Sequence, residues 1–550
     1  MTRDRYDYPA GLYDPNYQAE LGETMFQSLD RITGRFPDRE ALVDRDRRLT
    51  FTQYRASAAR LAAHLHHLGV KFGDRVVSIL PVWAEASFGW YGTAAIGAVW
   101  VPLSLAFRER EIRYILGTIE PKAVIVVDSF GGFNYLDMVR SLLPDFPCVQ
   151  HLLVKGQAPA SAISLDGLMA QDPRVGDELL WVRRHLNPAA ALADTLCLIT
   201  HTSGTTGEPK GAMHTHNTVV SNCKAAYKVS GTTEEDVFLM PLPMSHQFGV
   251  ESGTAYAFLA GAKIVLMDAF DPKRFLELIQ QERATFLVGV PTMFRLALNH
   301  PNFADYDVSS VRTGWVGGAA SAPEDRIATI EKLGEVMHIG GMTEGSLTTI
   351  ATFDEPLEIK VRSIGRVLPG GQAKVVDDAG NTVPAGELGE LWLKGPYITP
   401  GYWNKPELNA QKFSPDGWLK TSDIGHMDKE GHIFLVSRVD DRIVRGGHKI
   451  FPVEVEDLLS THPKIEMCCL IGVPNPVLGE CTVACVKVKA GETLDPQEVR
   501  DFCRGKIAEY LVPDFVEIME NIPLNPTGKI LYKLVRLEVE PKYAGQRPPK

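Results

Sequence analysis

Residues 198–216 read LITHTSGTTGEPKGAMHTH and hold the strongest signal in the chain. Leu198, Ile199 and Thr200 have the apolar and β-branched character of the end of a strand. Residues 203–211 then combine three glycines, three hydroxyl side chains and one lysine. Glycine lets backbone N–H groups approach an anion closely, while the hydroxyls and the lysine add donors and positive charge. This composition predicts a phosphate-binding loop directly after a strand.

The loop differs from the usual P-loop, because Lys210 is followed by Gly211 where that pattern requires Ser or Thr. A flexible polar surface loop is the alternative interpretation of a segment rich in glycine, serine and threonine. The position of the loop directly after an apolar run favours phosphate binding.

On the N-terminal side of this loop, strand-like and helix-like segments alternate. Residues 75–83 (RVVSILPVW) and 99–104 (VWVPLS) are strand-like, and residues 85–98 (EASFGWYGTAAIGA) between them are helix-like. The alternation continues through two further strand-like segments, AVIVVD and HLLVKG. This β-α-β pattern predicts an α/β fold with doubly wound, largely parallel sheets.

The C-terminal half predicts two smaller units. Short strand-and-turn segments at residues 373–383, 389–395 and 432–437 predict a β-rich subdomain over about residues 350–437. Residues 438–550 carry an α+β pattern of their own. We therefore expect a large domain over residues 1–437 and a small C-terminal domain over residues 438–550.

Composition limits the function classes. The chain has 550 residues, too many for a single core, and a net charge of -11 argues against nucleic acid or an anionic membrane as the main partner. Its eight cysteines form no C-x-x-C pair, which favours buried thiols in a reducing compartment. The N-terminus has no apolar signal-peptide core, and no run of 18 apolar residues occurs. We expect a cytoplasmic protein without a transmembrane segment; peripheral membrane association stays open.

Seven motifs, in one chain order, resemble those of the adenylate-forming superfamily: acyl-CoA synthetases, adenylation domains that charge carrier proteins, and luciferases. They are TSGTTGEPKG (202–211), PLPMSHQFG (241–249), GGAA (317–320), GGMTEG (340–345), GWLKTSD (417–423), SRVDDRIVRGG (437–447) and PTGK (526–529). The resemblance covers about residues 25–535. It implies a large N-terminal domain followed by a small, mobile C-terminal domain that carries the hinge and a catalytic lysine.

The resemblance assigns a set of nucleotide-binding and thiol-binding positions. The phosphate loop supplies Thr202, Ser203, Gly204, Thr205, Thr206, Gly207 and Lys210. Adenine would lie against Gly318, Ala319 and Ala320, close to Gly341 and Met342. Asp423 and Arg438 would bind the ribose hydroxyls, and Gly446 and Gly447 would form the channel for the thiol donor, coenzyme A.

The same resemblance assigns the catalytic groups. Lys529 would bridge the substrate carboxylate and the α-phosphate, and Thr343 would bind an α-phosphate oxygen. Glu344 and Thr206 would hold Mg²⁺, which prefers oxygen ligands. His246 would flank the carboxylate tunnel, although a lone histidine is by itself more often a packed bystander. Asp440 would be the hinge of a domain rotation.

The acyl pocket is assigned to residues near His246, near the adenine turn and at the start of the GGMTEG motif. These are Gln247, Phe248, Trp315, Val316, Gly317 and Gly340. Trp315 predicts a bulky wall that favours cyclic or shorter acids over long fatty acids. Gly340 stands where the superfamily carries an aromatic residue that packs on adenine. Stacking on adenine must then come from another residue or be weaker. The other interpretation is that the missing side chain enlarges the acyl tunnel.

The resemblance implies an ATP-dependent carboxylic acid–CoA ligase that uses ATP, Mg²⁺ and coenzyme A and forms an acyl adenylate. The residues of its motifs are most similar to those of ligases that act on cyclohexane-type, short or medium-chain acids. Residues 537–550 contain no carrier attachment motif, which agrees with the ligase. One alternative is a stand-alone adenylating enzyme that loads a separate carrier protein. A second alternative is a nucleotide-binding module without turnover. The expected partners are small molecules, with a homodimer left open.

Overall fold

The computed structural model describes residues 22–170, 193–202, 208–319, 321–446, 448–524 and 530–548, apart from the side chains of Asp440 and Lys449. The strands are β1 (Glu40–Asp44), β2 (Arg47–Thr50), β3 (Arg75–Ile79), β4 (Val99–Pro102), β5 (Ala123–Val127), β6 (Ser129–Phe130), β7 (Phe133–Asn134), β8 (His151–Lys155), β9 (Ile163–Ser164), β10 (Leu196–Thr202), β11 (Lys210–Thr215), β12 (Val237–Met240), β13 (Lys263–Leu266), β14 (Phe286–Gly289), β15 (Thr313–Val316), β16 (Glu335–Met342), β17 (Ser346–Ile350), β18 (Arg366–Val367), β19 (Gln372–Val376), β20 (Gly389–Lys394), β21 (Leu419–Met427), β22 (Ile433–Arg438), β23 (Ile443–Arg445), β24 (His448–Ile450), β25 (Ile465–Asn475), β26 (Gly479–Val488) and β27 (Phe515–Ile518).

The described α-helices are α1 (Met25–Arg35), α2 (Phe51–His67), α3 (Ala84–Ala95), α4 (Glu109–Ile119), α5 (Tyr135–Leu142), α6 (Leu165–Ala170), α7 (His216–Ser230), α8 (Tyr256–Ala260), α9 (Pro272–Glu282), α10 (Pro291–Leu298), α11 (Pro323–Leu333), α12 (Leu357–Arg362), α13 (Pro406–Lys412), α14 (Pro452–Ser460), α15 (Pro496–Cys503) and α16 (Tyr532–Tyr543). A π-helix spans Phe248–Ala255. Short 3₁₀ segments lie at Leu143–Asp145, Phe303–Asp305, Val439–Asp441 and Glu509–Leu511.

Local sequence explains several of these boundaries. Helix α1 begins after Thr24, whose hydroxyl accepts a hydrogen bond from Gln27 N, while the Gln27 side chain accepts one from Thr24 N. Helix α2 begins with the same reciprocal arrangement between Thr50 and Gln53. This capping box satisfies backbone donors that have no partner inside the helix.

Two large sheets form the scaffold of the site. The nine-stranded sheet has the order β18-β17-β16-β15-β14-β12-β13-β1-β2, and the seven-stranded sheet has the order β11-β10-β4-β3-β5-β8-β9. Neighbours from β15 back to β1 are parallel, as are those from β10 to β9, and antiparallel strands lie at the edges. The predicted doubly wound, largely parallel α/β fold is confirmed. One continuous apolar core contacts both sheets.

The C-terminal third contains two smaller sheets. Strands β19-β20-β21-β22 form an antiparallel sheet at the predicted place of the β-rich subdomain. The last sheet has the order β24-β23-β26-β25, with β27 parallel to β26. Its two faces bury separate apolar clusters, one around Leu470 and one around Cys469. Residues 443–539 therefore have hydrophobic cores of their own.

Residues 399–403 lie along the outer side of β11, which is the edge strand of the seven-stranded sheet. Met213 N donates to Gly401 O (3.0 Å) and Trp403 N donates to Gly211 O (2.8 Å). The Thr399 hydroxyl adds a bond to Met213 O (2.6 Å). Among the described residues, no helix combines the length and the apolar character that crossing a bilayer requires.

Candidate active site

The phosphate-loop motif is closed at its base by a strand pair. Strand β10 runs antiparallel to β11, and Thr202 lies opposite Lys210 in this register. Lys210 is therefore the first residue of β11, at the mouth of the loop. Ser203, Gly204, Thr205, Thr206 and Gly207 lie outside the described residues.

The GGMTEG motif forms a tight turn between two antiparallel strands, β16 and β17. Met342 and Ser346 are opposite one another, so residues 343–345 make the turn that carries Thr343 and Glu344. Ser346, at its exit, has a φ of 52°, a left-handed backbone that is uncommon for a residue with a side chain. Conformations of this kind persist where the surroundings hold them in place.

Three separate elements fix the carbonyl groups of this turn. His214 of β11 donates from Nε2 to Thr343 O (2.9 Å). Thr399 N donates to Glu344 O (2.6 Å), and the Asn222 side chain on α7 donates to Gly345 O (3.2 Å). Buried carbonyls need such partners, so these bonds leave the turn little freedom to move. Burial lowers the pKa of His214 to about 4, which keeps its ring neutral.

The side chain of Glu344 contacts a residue that the sequence did not identify. The phenolic hydroxyl of Tyr402 donates to Glu344 Oε1. Burial raises the pKa of Tyr402, the Glu344 carboxylate raises it further, and the Arg438 guanidinium acts in the opposite direction. Tyr402 is fixed in turn because its N–H donates to Asn409 Oδ1 (2.8 Å). The GYW sequence at residues 401–403 was the signal that could have identified Tyr402, because it places an aromatic residue directly after a glycine.

Asp423 and Arg438, the predicted ribose ligands, are neighbours in the antiparallel pair of β21 and β22. They are opposite one another in the register, and Arg438 Nε lies 3.0 Å from Asp423 Oδ1. The Thr421 hydroxyl accepts from Asp423 N (3.0 Å), and Ser422 between them has a φ of 64°. The two predicted residues therefore act as one ion-paired unit.

The PLPMSHQFG motif leaves β12 as a loop and then enters the π-helix. A Cβ on Gly249 would lie 2.1 Å from Pro243 O, so only glycine allows this close approach. His246 is exposed, and its Nδ1 accepts from Phe248 N (3.3 Å). Gln247 and Phe248 are buried. π-Helical turns are frequent at functional sites.

A chain of buried polar side chains starts at Gln247. The Thr200 hydroxyl donates to Gln247 Oε1 (2.8 Å), and Gln247 Nε2 donates to Glu251 Oε2 (2.5 Å). Glu251 is 1% exposed, and the hydroxyl of the next residue, Ser252, is 2.8 Å from that of Ser346. Burial raises the pKa of the Glu251 carboxyl to about 8. Sequence reasoning missed Glu251, although an acid within the apolar and small-residue segment FGVESGTAYAFLA was a usable signal.

The residues assigned to adenine and acyl contacts lie at the end of β15 and in the turn after it. Trp315 is 1% exposed and packs against Tyr256 and Phe286, with ring centroids 4.3 Å and 5.0 Å away. Gly318 has a φ of 83°, which favours glycine. Val316 ends the strand, Gly317 packs against Ile339, and Ala319 follows in the turn. The role of Trp315 as a pocket wall stays a prediction.

Gly340 lies inside β16 and is enclosed by side chains. A Cβ there would lie 2.3 Å from Thr349 Oγ1 and 2.5 Å from Ile364 Cδ1. Thr349 and Ile364 thus occupy the direction in which a side chain would leave the backbone. Gly340 thus opens no space in this direction, and its place in the acyl pocket stays a prediction. The next residues, Gly341 and Met342, pair with β17.

The remaining assigned residues lie toward the C-terminus. Gly446 turns the chain between β23 and β24 with a φ of 56°, and its N–H donates to Leu478 O (2.7 Å). Asp440 lies in the 3₁₀ segment Val439–Asp441. Ala320, Gly447 and Lys529 lie outside the described residues, as does the side chain of Asp440.

Comparisons with known proteins agree with the motifs. A family model for AMP-binding enzymes matches residues 29–403, and the model for their C-terminal domain matches residues 454–529. A mitochondrial medium-chain acyl-CoA ligase of Mus musculus is 33% identical over 545 residues, which cover 94% of this chain and 88% of the ligase.

Two solved structures have the same overall fold. ATP-bound MatB of Rhodopseudomonas palustris aligns with a TM-score of 0.83 at 27% identity and covers 94% of this chain and 99% of its own. The anthranilate CoA ligase AuaEII, in complex with anthranoyl-AMP, aligns with a TM-score of 0.85 at 26% identity and covers 94% and 98%. The chain therefore belongs to the family of AMP-binding enzymes, within the adenylate-forming superfamily that its motifs resemble.

Proposed function

We propose that the chain is an ATP-dependent carboxylic acid–CoA ligase that works through an acyl adenylate. The observation that carries the proposal is a connected line of polar side chains. Glu344 accepts a hydrogen bond from Tyr402, and the positive charge of Arg438 lowers the pKa of Tyr402. Arg438 in turn forms an ion pair with Asp423. This line joins the residues proposed for the phosphate end of a nucleotide to those proposed for its ribose.

The chemistry explains why such a line is needed. A carboxylate is a poor electrophile because its leaving group would be oxide. Its oxygen therefore attacks the α-phosphorus of ATP, the bond to pyrophosphate breaks, and an acyl adenylate forms. Two anions must meet in this step, so oriented donors and positive charge lower the barrier. A thiolate of coenzyme A then attacks the adenylate carbonyl, and AMP leaves.

Several residues of this chain would supply those donors and charges. We assign Lys529 to the bridge between carboxylate and phosphate, Lys210 and the loop hydroxyls to the β- and γ-phosphates, and Thr343 to the α-phosphate. Oxygen ligands suit Mg²⁺, and the Glu344 carboxylate can offer Oε2, because the hydrogen bond from Tyr402 engages Oε1. When bound there, with Thr206 as a second ligand, Mg²⁺ would neutralise phosphate charge.

The division of the chain at residue 438 is part of the proposal. The lysine loop must leave the site before a thiol can enter, so one site serves two half-reactions by a domain rotation. Asp440 is the proposed hinge, with Gly446 and Gly447 in the thiol channel. The separate apolar cores of residues 443–539 support a unit that can rotate as a body.

For the acid, we propose a cyclic, short or medium-chain carboxylic acid. The medium-chain and anthranilate specificities named for two relatives support this size range. The buried Trp315, next to the proposed adenine turn, would close one end of the acyl pocket. A cytoplasmic location is supported by eight cysteines that are all unpaired. Assembly as a homodimer remains a proposal.

The test is ATP–pyrophosphate exchange across a panel of carboxylic acids, with and without coenzyme A. Acid-dependent exchange that becomes net AMP and acyl-CoA production would support the ligase and identify the acid. Exchange that coenzyme A does not convert to thioester would favour a carrier-protein thiol instead. ATP binding without exchange for any acid would contradict both enzymatic proposals, and efficient turnover of a C16 acid would contradict the proposed chain length.

A further inference from the structure

Arg445 lies at the end of β23, directly before the turn that begins at Gly446. Arg445 Nε is 2.8 Å from Asp514 Oδ2, and Arg445 Nη2 is 2.7 Å from Asp514 Oδ1. Two parallel bonds between a guanidinium and a carboxylate fix the orientation of the pair as well as its distance. Asp514 directly precedes β27, which pairs with β26 as β23 does. The ion pair therefore ties the turn to the start of a neighbouring strand.

The acid of this ion pair is itself held in place. Asp514 is 4% exposed, its N–H donates to the Thr482 hydroxyl (2.9 Å), and its Oδ2 accepts from Thr482 N (3.0 Å). Thr482 lies within β26 and is buried. A buried carboxylate needs such partners, and the bonds from a central strand restrict its rotation. Asp514 thus presents its carboxylate to Arg445 from a fixed position in the sheet.

The turn receives little support from its own hairpin. Strands β23 and β24 have three residues each, and within the described residues a single pair joins β23 to β26. Gly446 N donates to Leu478 O (2.7 Å), and Val444 N donates to Glu480 Oε2 (2.6 Å). A hairpin this short is marginal alone, and glycine adds backbone freedom at the turn. The orientation of the turn therefore depends on its contacts with the rest of the sheet, including the ion pair.

We propose that Arg445 is a positioning residue for the thiol step, because its ion pair with Asp514 holds the turn at Gly446 in the place that the thiol channel requires. The inference rests on the proposed function, which assigns Gly446 to that channel. Adenylation does not use the turn, so the ion pair should matter for one half-reaction only. A displacement of about 1 Å in a group that orients a reactant lowers the rate without any change at the reacting atoms.

The test compares the two half-reactions of the full chain after Arg445→Gln, with the acid that the exchange panel identifies. Attack of coenzyme A on a supplied acyl adenylate should slow roughly ten- to hundredfold, the effect of a small misplacement. ATP–pyrophosphate exchange should keep its wild-type rate. Asp514→Asn, which keeps an oxygen for Thr482, should have the same selective effect. Equal loss of both half-reactions would indicate a damaged domain and would overturn the inference.

Three further variants make the design specific. Arg445→Lys keeps the positive charge but cannot form two parallel bonds, so its thiol step should be intermediate in rate. Lys464→Gln removes an ion pair with Glu498 (2.9 Å) elsewhere in the same C-terminal region and should keep both rates. The double variant Arg445→Gln/Asp514→Asn should lose less than the two single losses combined, because interacting residues are not additive. Additive losses would show that the two residues do not act as a pair, and the inference would be wrong.

Hydrogen–deuterium exchange measures the anchoring without any catalysis. Residues 443–450 should take up deuterium roughly tenfold faster in Arg445→Gln, as the loss of hydrogen bonds to a charged group would allow, and Lys464→Gln should match the wild type. Faster uptake with a normal thiol step, or a slow thiol step with unchanged uptake, would overturn the inference. A wild type that shows no pyrophosphate exchange with any acid, while deuterium uptake responds as expected, would overturn the proposed reaction instead.

Discussion

The phenolic hydroxyl of Tyr402 donates a hydrogen bond to the carboxylate of Glu344, 58 residues earlier in the chain. The same carboxylate is the proposed ligand for Mg²⁺, so the phenol orients the group that would receive the cation. A hydrogen bond to an ionised group restricts its rotamer and strengthens in a buried setting. Tyr402 is thus a positioning residue for the metal end of the site.

Replacing Tyr402 by Phe should raise the Mg²⁺ concentration needed for half-maximal pyrophosphate exchange roughly tenfold, because a bond to a charged group is lost. Tyr397→Phe is the matched control, since that buried phenol bonds to Leu368 O (3.0 Å) instead. The control should lose some thermal stability and keep the Mg²⁺ dependence. An equal shift in both variants would contradict the positioning role.

Replacing Lys529 by Ala should reduce adenylate formation by roughly 10²–10³-fold, the usual effect of removing a donor that stabilises transition-state charge. Attack of coenzyme A on a supplied acyl adenylate should remain largely intact, since in the proposed domain rotation the lysine loop leaves the site before this step. Lys533→Ala, an exposed lysine on α16, is the control and should leave both half-reactions unchanged. Equal loss of both half-reactions in Lys529→Ala would contradict the assignment.

Gly446→Ile should have the opposite effect and impair thioester formation while sparing adenylation, because a bulky side chain would obstruct the thiol channel. The φ of 56° strains any side chain at this position, so Gly446→Ala is needed as a control. Its Cβ would lie 3.5 Å from Leu478 Cδ2, an ordinary contact. Strain is common to both variants, and only Ile adds bulk. If single-turnover thioester formation is equally fast in both, Gly446 does not line the channel.

Gly340→Ala should lower the free energy of unfolding by about 1–3 kcal/mol, the typical cost of overpacking a core. Its Cβ would meet Thr349 Oγ1 at 2.3 Å. Gly34→Ala is the control, because Gly34 is an exposed position of helix α1 with nothing within 4 Å of an added Cβ; it should be neutral or stabilising by up to about 1 kcal/mol. Chemical denaturation measures both. Equal stability of the two variants would show that Thr349 and Ile364 yield easily.

The sequence predicted those parts of the site that depend on local pattern. The strand before the phosphate loop, and the alternating strands and helices on its N-terminal side, lie where the sequence pattern placed them. Asp423 and Arg438 were predicted separately. Their ion pair follows from the antiparallel register of β21 and β22, which cannot be derived from the sequence pattern.

The contacts between distant segments were not predictable in this way. Tyr402 reaches Glu344 because residues 399–403 run beside β11, and no local pattern encodes that pairing. The π-helix depends on Gly249 against Pro243 and Gly253 against Met240, which are tertiary contacts. The hydrogen bonds from Thr200 to Gln247 and from Gln247 to Glu251 likewise require β10 and the π-helical segment to meet. Long-range packing overrides local propensity at each of these places.

The segment at residues 399–403 has a consequence for solubility as well as for the site. Strand β11 is a sheet edge, and an uncovered edge offers unpaired backbone groups to other chains. The segment caps part of this edge and at the same time holds Tyr402 against Glu344. A variant that releases Tyr402 by detaching the segment would therefore expose an aggregation-prone edge. The same five residues would therefore protect the sheet edge and support the proposed nucleotide site.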